Sequence, residues 1–210
     1  MIRRFLVVLT IFIFAFGILF TSIARTATIR RSFSLSSTSL SDVKVLGETT
    51  LIDYKLPYPG KVLPDHPLWP IKVIRDRLWL FVTTNPTRKI ELNILFADKR
   101  LVSAEMLFEK DKPDIAYSTL TKAEKYLENA SLLEETKRKM GEDTTGVLEQ
   151  LAKSSLKHRE IMEEILLIAP EDARPEIIKL EDYSTSAYSR ARDALYEKGL
   201  TPPENPFGSQ

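Results

Sequence analysis

Apolar and polar positions divide the 210-residue chain into one unbroken apolar run, a proline-rich lead-in and a series of helical stripes. The run is Phe5 to Ala24, FLVVLTIFIFAFGILFTSIA, uncharged throughout and preceded by Arg3 and Arg4. Twenty residues at ~1.5 Å each match a ~30 Å hydrocarbon core. Ser22-Ile23-Ala24 offers a small-x-small cleavage site, so a signal peptide competes with an uncleaved anchor. The length and the phenylalanine content favour the anchor, with the amino terminus inside.

Residues 25–56 follow as a Ser/Thr-rich stretch whose core is SFSLSSTSLS. This composition buries too little apolar surface to offset its ordering entropy, so a flexible stalk is expected. Its random-coil span is ~30 Å. Pro57, Pro59, Pro64, Pro67 and Pro70 then fix φ, remove amide donors and restrict their predecessors. A helix is expected from about Pro67 to Thr83, with Asp65 as its N-cap. Leu68, Trp69, Ile71, Val73, Ile74, Leu78, Trp79, Leu80, Phe81 and Val82 leave only a narrow polar strip of Lys72, Arg75 and Asp76. A helix so apolar calls for enclosure. The expectation is a central helix wrapped by the later ones, so that Trp79→Ala unfolds the domain. The other reading is a helix lying in a membrane interface.

Four stripes follow at spacings of three and four. Asn85-Pro86 opens the second helix, which runs to about Lys110 through Ile90, Ile94, Ala97, Leu101 and Ala104. Asp111-Lys112-Pro113 turns into the third, which reaches Met140 and ends at Gly141 after Lys137, Arg138 and Lys139. Asp143, Thr144 or Thr145 caps the fourth, closed by Ala169-Pro170. Pro175 opens the last, with Gly199 at its end. Small alanines facing larger apolar residues across a short turn suit an antiparallel αα-hairpin. The fold class is therefore all-α: an antiparallel bundle of about five helices at 57–198, behind an N-terminal transmembrane anchor or signal segment at 1–24 and a stalk at 25–56. Residues 199–210 are expected to be a disordered tail.

Composition narrows the function. Lys plus Arg is 30 against 29 for Asp plus Glu, so no basic stripe argues for nucleic acid. The absence of cysteine excludes thiolate metal sites and cysteine nucleophiles. G-x-S-x-G, P-loop, G-x-G-x-x-G and H-E-x-x-H motifs are absent. His158 lies four residues before Met162, but no second histidine is near, so a structural histidine is expected rather than a metal ligand. Glu134-Glu135, Glu163-Glu164 and Glu181-Asp182 are adjacent pairs, which diverge on a helix. Lys122, Glu124, Lys125, Glu128, Glu134, Glu135 and Lys137 read as a solvated face. No cofactor and no metal is expected.

LPDHPLWPIK, then RDRLWLF, then TTNPTRKIELNILFADKRLVSAEML resembles an uncharacterised bacterial extracytoplasmic helical domain family, a domain of unknown function. Its pattern is roughly P-G-x-L-P-D-x-P-L-Y-x-L-K followed by A-x-x-R-L-x-E-A. Pro59, Gly60, Leu63, Pro64, Asp65, Pro67, Leu68, Lys72, Ala97, Arg100, Leu101 and Ala104 match, and Trp69 replaces the tyrosine. The resemblance covers about residues 57 to 130. It implies a signal-bearing protein, and some members resemble the outer part of membrane-anchored anti-sigma regulators. Only four residues precede the apolar run here, so no sigma-binding domain is expected on that side.

The resulting expectation is a non-catalytic, membrane-anchored extracytoplasmic module for protein binding or scaffolding. Its candidate structural or partner-binding motif is Pro64, Asp65, Pro67, Leu68, Trp69, Pro70, Lys72 and Trp79. Partners would be the lipid bilayer through Phe5–Ala24 and another protein, with no nucleic acid. The alternatives are an outer sensory domain working with a separate membrane signalling partner, and a peripheral membrane-surface binder.

Overall fold

The computed structural model describes residues 52–208. They form five helices and no strand: α1 (Trp69–Val82), α2 (Pro86–Glu109), α3 (Pro113–Lys139), α4 (Thr145–Ile168) and α5 (Arg174–Glu197). The expected anchor Phe5–Ala24 lies outside the described residues, and so does most of the stalk. Among the described residues no helix is long and apolar enough to cross a membrane.

Helices α2 to α5 make the bundle. α2 packs along α3 and α4 along α5, with α3 also against α5 and α2 against α4. Alanines let the helices approach closely: Ala97 and Ala104 on α2, and Ala116, Ala123 and Ala130 on α3, recur every seven residues and are fully buried. A seven-residue repeat keeps one seam facing the neighbouring helix. The core falls into two apolar clusters, one around Ile94, Leu127, Leu151 and Ala191, the other around Leu107, Leu120, Met162 and Ile177.

Local signals set the ends. Asn85 Oδ1 accepts the Arg88 amide at 2.9 Å, and Pro86 follows as the first helical residue. Gly141 and Gly199 take positive φ at the ends of α3 and α5, and the next amide in each case reaches back to the carbonyl of Lys137 or Leu195. The α2–α3 turn uses the same closure with Asp111, at φ 56°, in the glycine position.

Three expectations are corrected. First, α1 is not the centre of the bundle. Ile71, Ile74, Leu78, Phe81 and Val82 are exposed, Phe81 to 81%, and the one buried residue of α1 is Asp76. The alanine-lined stripes of α2 to α5 close on one another, which leaves no space for a fifth helix inside. Second, Asp65 does not cap α1. The helix starts behind Leu68 without a side-chain cap, while Asp65 pairs with Lys112 at 2.6 Å on the α2–α3 turn. Third, Glu124 and Glu134 do not belong to a solvated face; both are buried, at 0% and 1% exposure.

Packing extends past both expected ends of the domain. Ile52 is buried in the core, and its amide donates to Glu160 Oε2 at 3.2 Å. On the C-terminal side Pro202 is buried, Tyr188 Oη donates to the Pro203 carbonyl at 2.7 Å, and the Arg159 guanidinium lies over the Phe207 ring.

Candidate functional site

Two places concentrate polar chemistry: the seat of α1, and a layer inside the bundle. At ~100° per residue, α1 sorts its side chains in an unusual sense. Ile71, Ile74, Leu78, Phe81 and Val82 share the outward face, whereas Trp69, Lys72, Val73, Asp76 and Leu80 share the face toward the bundle. The narrow polar strip seen in the sequence is thus the inner side, not the solvent side.

That inner side is held by charge. Asp76 Oδ2 is 3.7 Å from Arg100 Nη2, and both side chains are buried. Asp76 Oδ1 also accepts from Arg75 Nη2 at 2.7 Å. The Arg100 guanidinium lies 4.4 Å from the centre of the Tyr126 ring and within 6 Å of Trp69 and Phe96, so three aromatic faces surround it. Burial lowers the Arg100 pKa, and Tyr126 and Asp76 oppose that shift. Lys72 Nζ donates to the Pro59 and Val62 carbonyls at 2.7 and 3.1 Å, tying α1 to its own lead-in, and lies 4.8 Å over Trp69. Trp79 meets Phe96 edge to face at 6.3 Å.

Of the expected motif, the structure gathers Trp69 and Lys72 around Arg100 and Asp76, with Trp79 farther along the same seat. Asp65 instead goes to the α2–α3 turn, Pro64 is half-buried, and Pro67, Leu68 and Pro70 are exposed. Asp76, Arg100 and Tyr126 were missed as site residues. The signal for Asp76 was present: with Lys72 it makes an i, i+4 polar pair opposite a wide apolar face.

Inside the bundle, Asp98 of α2, Glu124 of α3 and His158 of α4 meet between the two apolar clusters. His158 Nδ1 is 2.6 Å from Glu124 Oε1, and Nε2 is 3.2 Å from Asp98 Oδ1. Asp98 also accepts from Ser154 Oγ and Tyr54 Oη, both at 2.7 Å. Burial opposes a charge on His158, but Glu124 and Asp98 together outweigh it and raise its pKa to about 9. The imidazolium therefore donates to both carboxylates at neutral pH. Glu124 Oε2 is buried with no hydrogen-bond partner among the described residues.

The polar side chains of this layer pair with one another across helices. Ser154 donates to Asp98 rather than to His158, so the imidazole does not activate it. Among the described residues no group of three or more His, Asp or Glu side chains is placed to hold a metal ion. The expected structural role of His158 fits these partners. What the sequence did not show is that its partners are Asp98 and Glu124, which lie on other helices.

No curated protein and no solved structure matches the chain. One protein family does: Domain of unknown function (DUF5667) matches residues 61–172, from the lead-in through the seat of α1 and the Asp98–Glu124–His158 layer to the end of α4. That span is more than half of the 210 residues, and the chain belongs to this family of domains of unknown function.

Proposed function

We propose that the chain is a non-catalytic module, tethered by Phe5–Ala24 outside the cytoplasm, that works at the bilayer surface with α1 laid along the headgroup region. The observation that carries this reading is the inversion of α1. Its one acidic residue, Asp76, is buried at 2%, while its apolar stripe from Ile71 to Val82 faces outward. Water is a poor cover for such a stripe. Even half-buried in lipid, five large apolar side chains contribute on the order of 5 kcal/mol.

Three further features suit lipid as the cover. Arg75 and Arg77 flank the stripe, as cations do on interfacial helices. Trp79, 42% exposed, lies beside the far half of the stripe, and tryptophan favours headgroup depth. A flexible stalk of the length that the sequence suggests, with a random-coil span of ~30 Å, would keep α1 within reach of a membrane entered by Phe5–Ala24. Protein binding or scaffolding by the same face remains the rival outcome of the test.

The test uses the two tryptophans, which are the only ones in the chain and both lie on α1. The full chain is reconstituted into vesicles whose acyl chains carry bromine. Strong quenching of the intrinsic fluorescence relative to unbrominated vesicles is the expected result. Fluorescence indifferent to bromine overturns the reading and leaves the stripe to another protein or to a second copy.

A further inference from the structure

The apolar stripe of α1 has a cationic rim on both edges, built from three helices. On one edge Arg77 of α1 stands beside Lys122 of α3. Both are exposed and outside every ion pair among the described residues. On the other edge Arg75 of α1, which also pairs with Asp76, and the half-buried Lys99 of α2 both act on Lys72 of the inner face. Asp76 is the carboxylate that acts on Lys72 and Arg100, and the two charges that act on Lys122 are both cations.

These like charges strain one another. Lys122 is held below the usual lysine range by burial of its stem and by Arg100 and Arg77. Burial of the stem is the larger cause, and the two like charges add to it although the residue as a whole is exposed. Lys72 is lowered by burial and, among charges, by Arg75, Lys99 and Arg100, with Asp76 opposing. The chain as a whole is nearly neutral, so this concentration beside the apolar face is local. Cations held together with too few carboxylates provide a place for external anions.

We propose that α1 and this rim form a surface selective for anionic phospholipid, with Arg77 and Lys122 on one edge and Arg75 and Lys99 on the other receiving headgroup phosphates. The proposal rests on the reading that α1 meets the bilayer, and adds which lipid it meets. A membrane satisfies both edges at once, because phosphates surround an inserted helix on every side at the same depth. A single acidic peptide laid on the stripe would face one edge or the other.

The test again reads Trp69 and Trp79 in the full chain, now in vesicles mixing phosphatidylglycerol with phosphatidylcholine. Bromine is placed on one lipid or the other at equal mole fraction. The expected result is stronger quenching when the anionic lipid carries the bromine. The preference should fall by roughly fivefold at low salt for each charge removed in Arg77→Gln and Lys122→Gln, since a cation near an anionic surface is worth that factor. Neither substitution removes a buried partner, and unchanged far-ultraviolet dichroism confirms that the variants fold. Equal quenching by the two lipids overturns the selectivity while leaving α1 on the bilayer. So does a preference that is undiminished in the double variant. Absence of quenching by either lipid overturns both readings.

Discussion

Asp76 of α1 and Arg100 of α2 pair across 3.7 Å, and they join a helix that is apolar outside to a bundle that is complete without it. The pair explains how α1 can keep its stripe outward. An apolar helix would ordinarily turn its widest apolar face toward the protein. Here the seat offers a buried guanidinium, and a buried charge needs a partner more than a covered surface needs more apolar area. Asp76 supplies that partner, so the helix is oriented by charge. Trp69, Val73 and Leu80 fill the remainder of the inner face as partly buried neighbours.

Asp76→Ala should therefore loosen α1 without unfolding the bundle. Removing one member of a buried ion pair typically costs ~3–5 kcal/mol. Arg100 escapes part of that cost by gaining water as α1 lifts. Hydrogen exchange is the measurement: amides of Ile71–Val82 should exchange much faster, while those of α3 and α4 keep their protection. Uniform loss of protection across all helices would show that α1 is integral to the bundle.

The structure reverses the expectation for Trp79→Ala. Trp79 is 42% exposed and meets Phe96 of the core edge to face. An aromatic pair of this kind contributes ~0.5–1.5 kcal/mol beyond its area. The substitution should lower stability by about 1–2 kcal/mol and leave helicity and the cooperative transition intact. Calorimetry of the variant decides between this and the collapse that a central tryptophan would cause.

The helices themselves were legible because their signals are local. Asn85-Pro86, Gly141 and Gly199 mark ends by backbone chemistry that needs no tertiary context, and each acts where expected. The stripes of α2 to α5 likewise face the core, apart from Ile115 and Ile178, which are exposed. The errors share one cause: charge paired across helices. Glu124 looked like a member of a Lys/Glu surface run, because nothing near it in sequence reveals that His158 will stand 2.6 Å away. Asp76 looked solvated because Arg100 is not adjacent in the chain. Periodicity reports which positions are apolar, and a helix whose inner face is polar inverts what that implies.

Asp111 predicts a gain. It holds φ at 56° in the α2–α3 turn, a region that costs a side chain about 1–2 kcal/mol, less for aspartate than for most. Asp111→Gly removes that strain but gives the unfolded chain more freedom. The net should be a stabilisation of ~0.5 kcal/mol, visible as a higher denaturant midpoint at unchanged slope. A lower midpoint would mean that the aspartate side chain contributes more to the turn than its backbone costs.

His158 predicts how stability depends on pH. Its pKa is about 9 in the bundle, against ~6.5 when unfolded. The folded state therefore favours the protonated form. The contribution is complete below about pH 6.5 and is lost as pH rises through about 9, amounting to on the order of 3 kcal/mol. Asp98 and Glu124 face the imidazole, and Ser154 and Tyr54 occupy the rest of Asp98, so no other cation can replace the lost charge at this layer. His158→Gln leaves the two carboxylates without their cation and should destabilise the domain by ~3–5 kcal/mol at pH 6.5. It should also flatten the decline in stability between pH 6.5 and 9. Urea titrations of both proteins across that range test the point. A parallel decline in the variant would assign the pH dependence to other groups and leave His158 a neutral member of the layer.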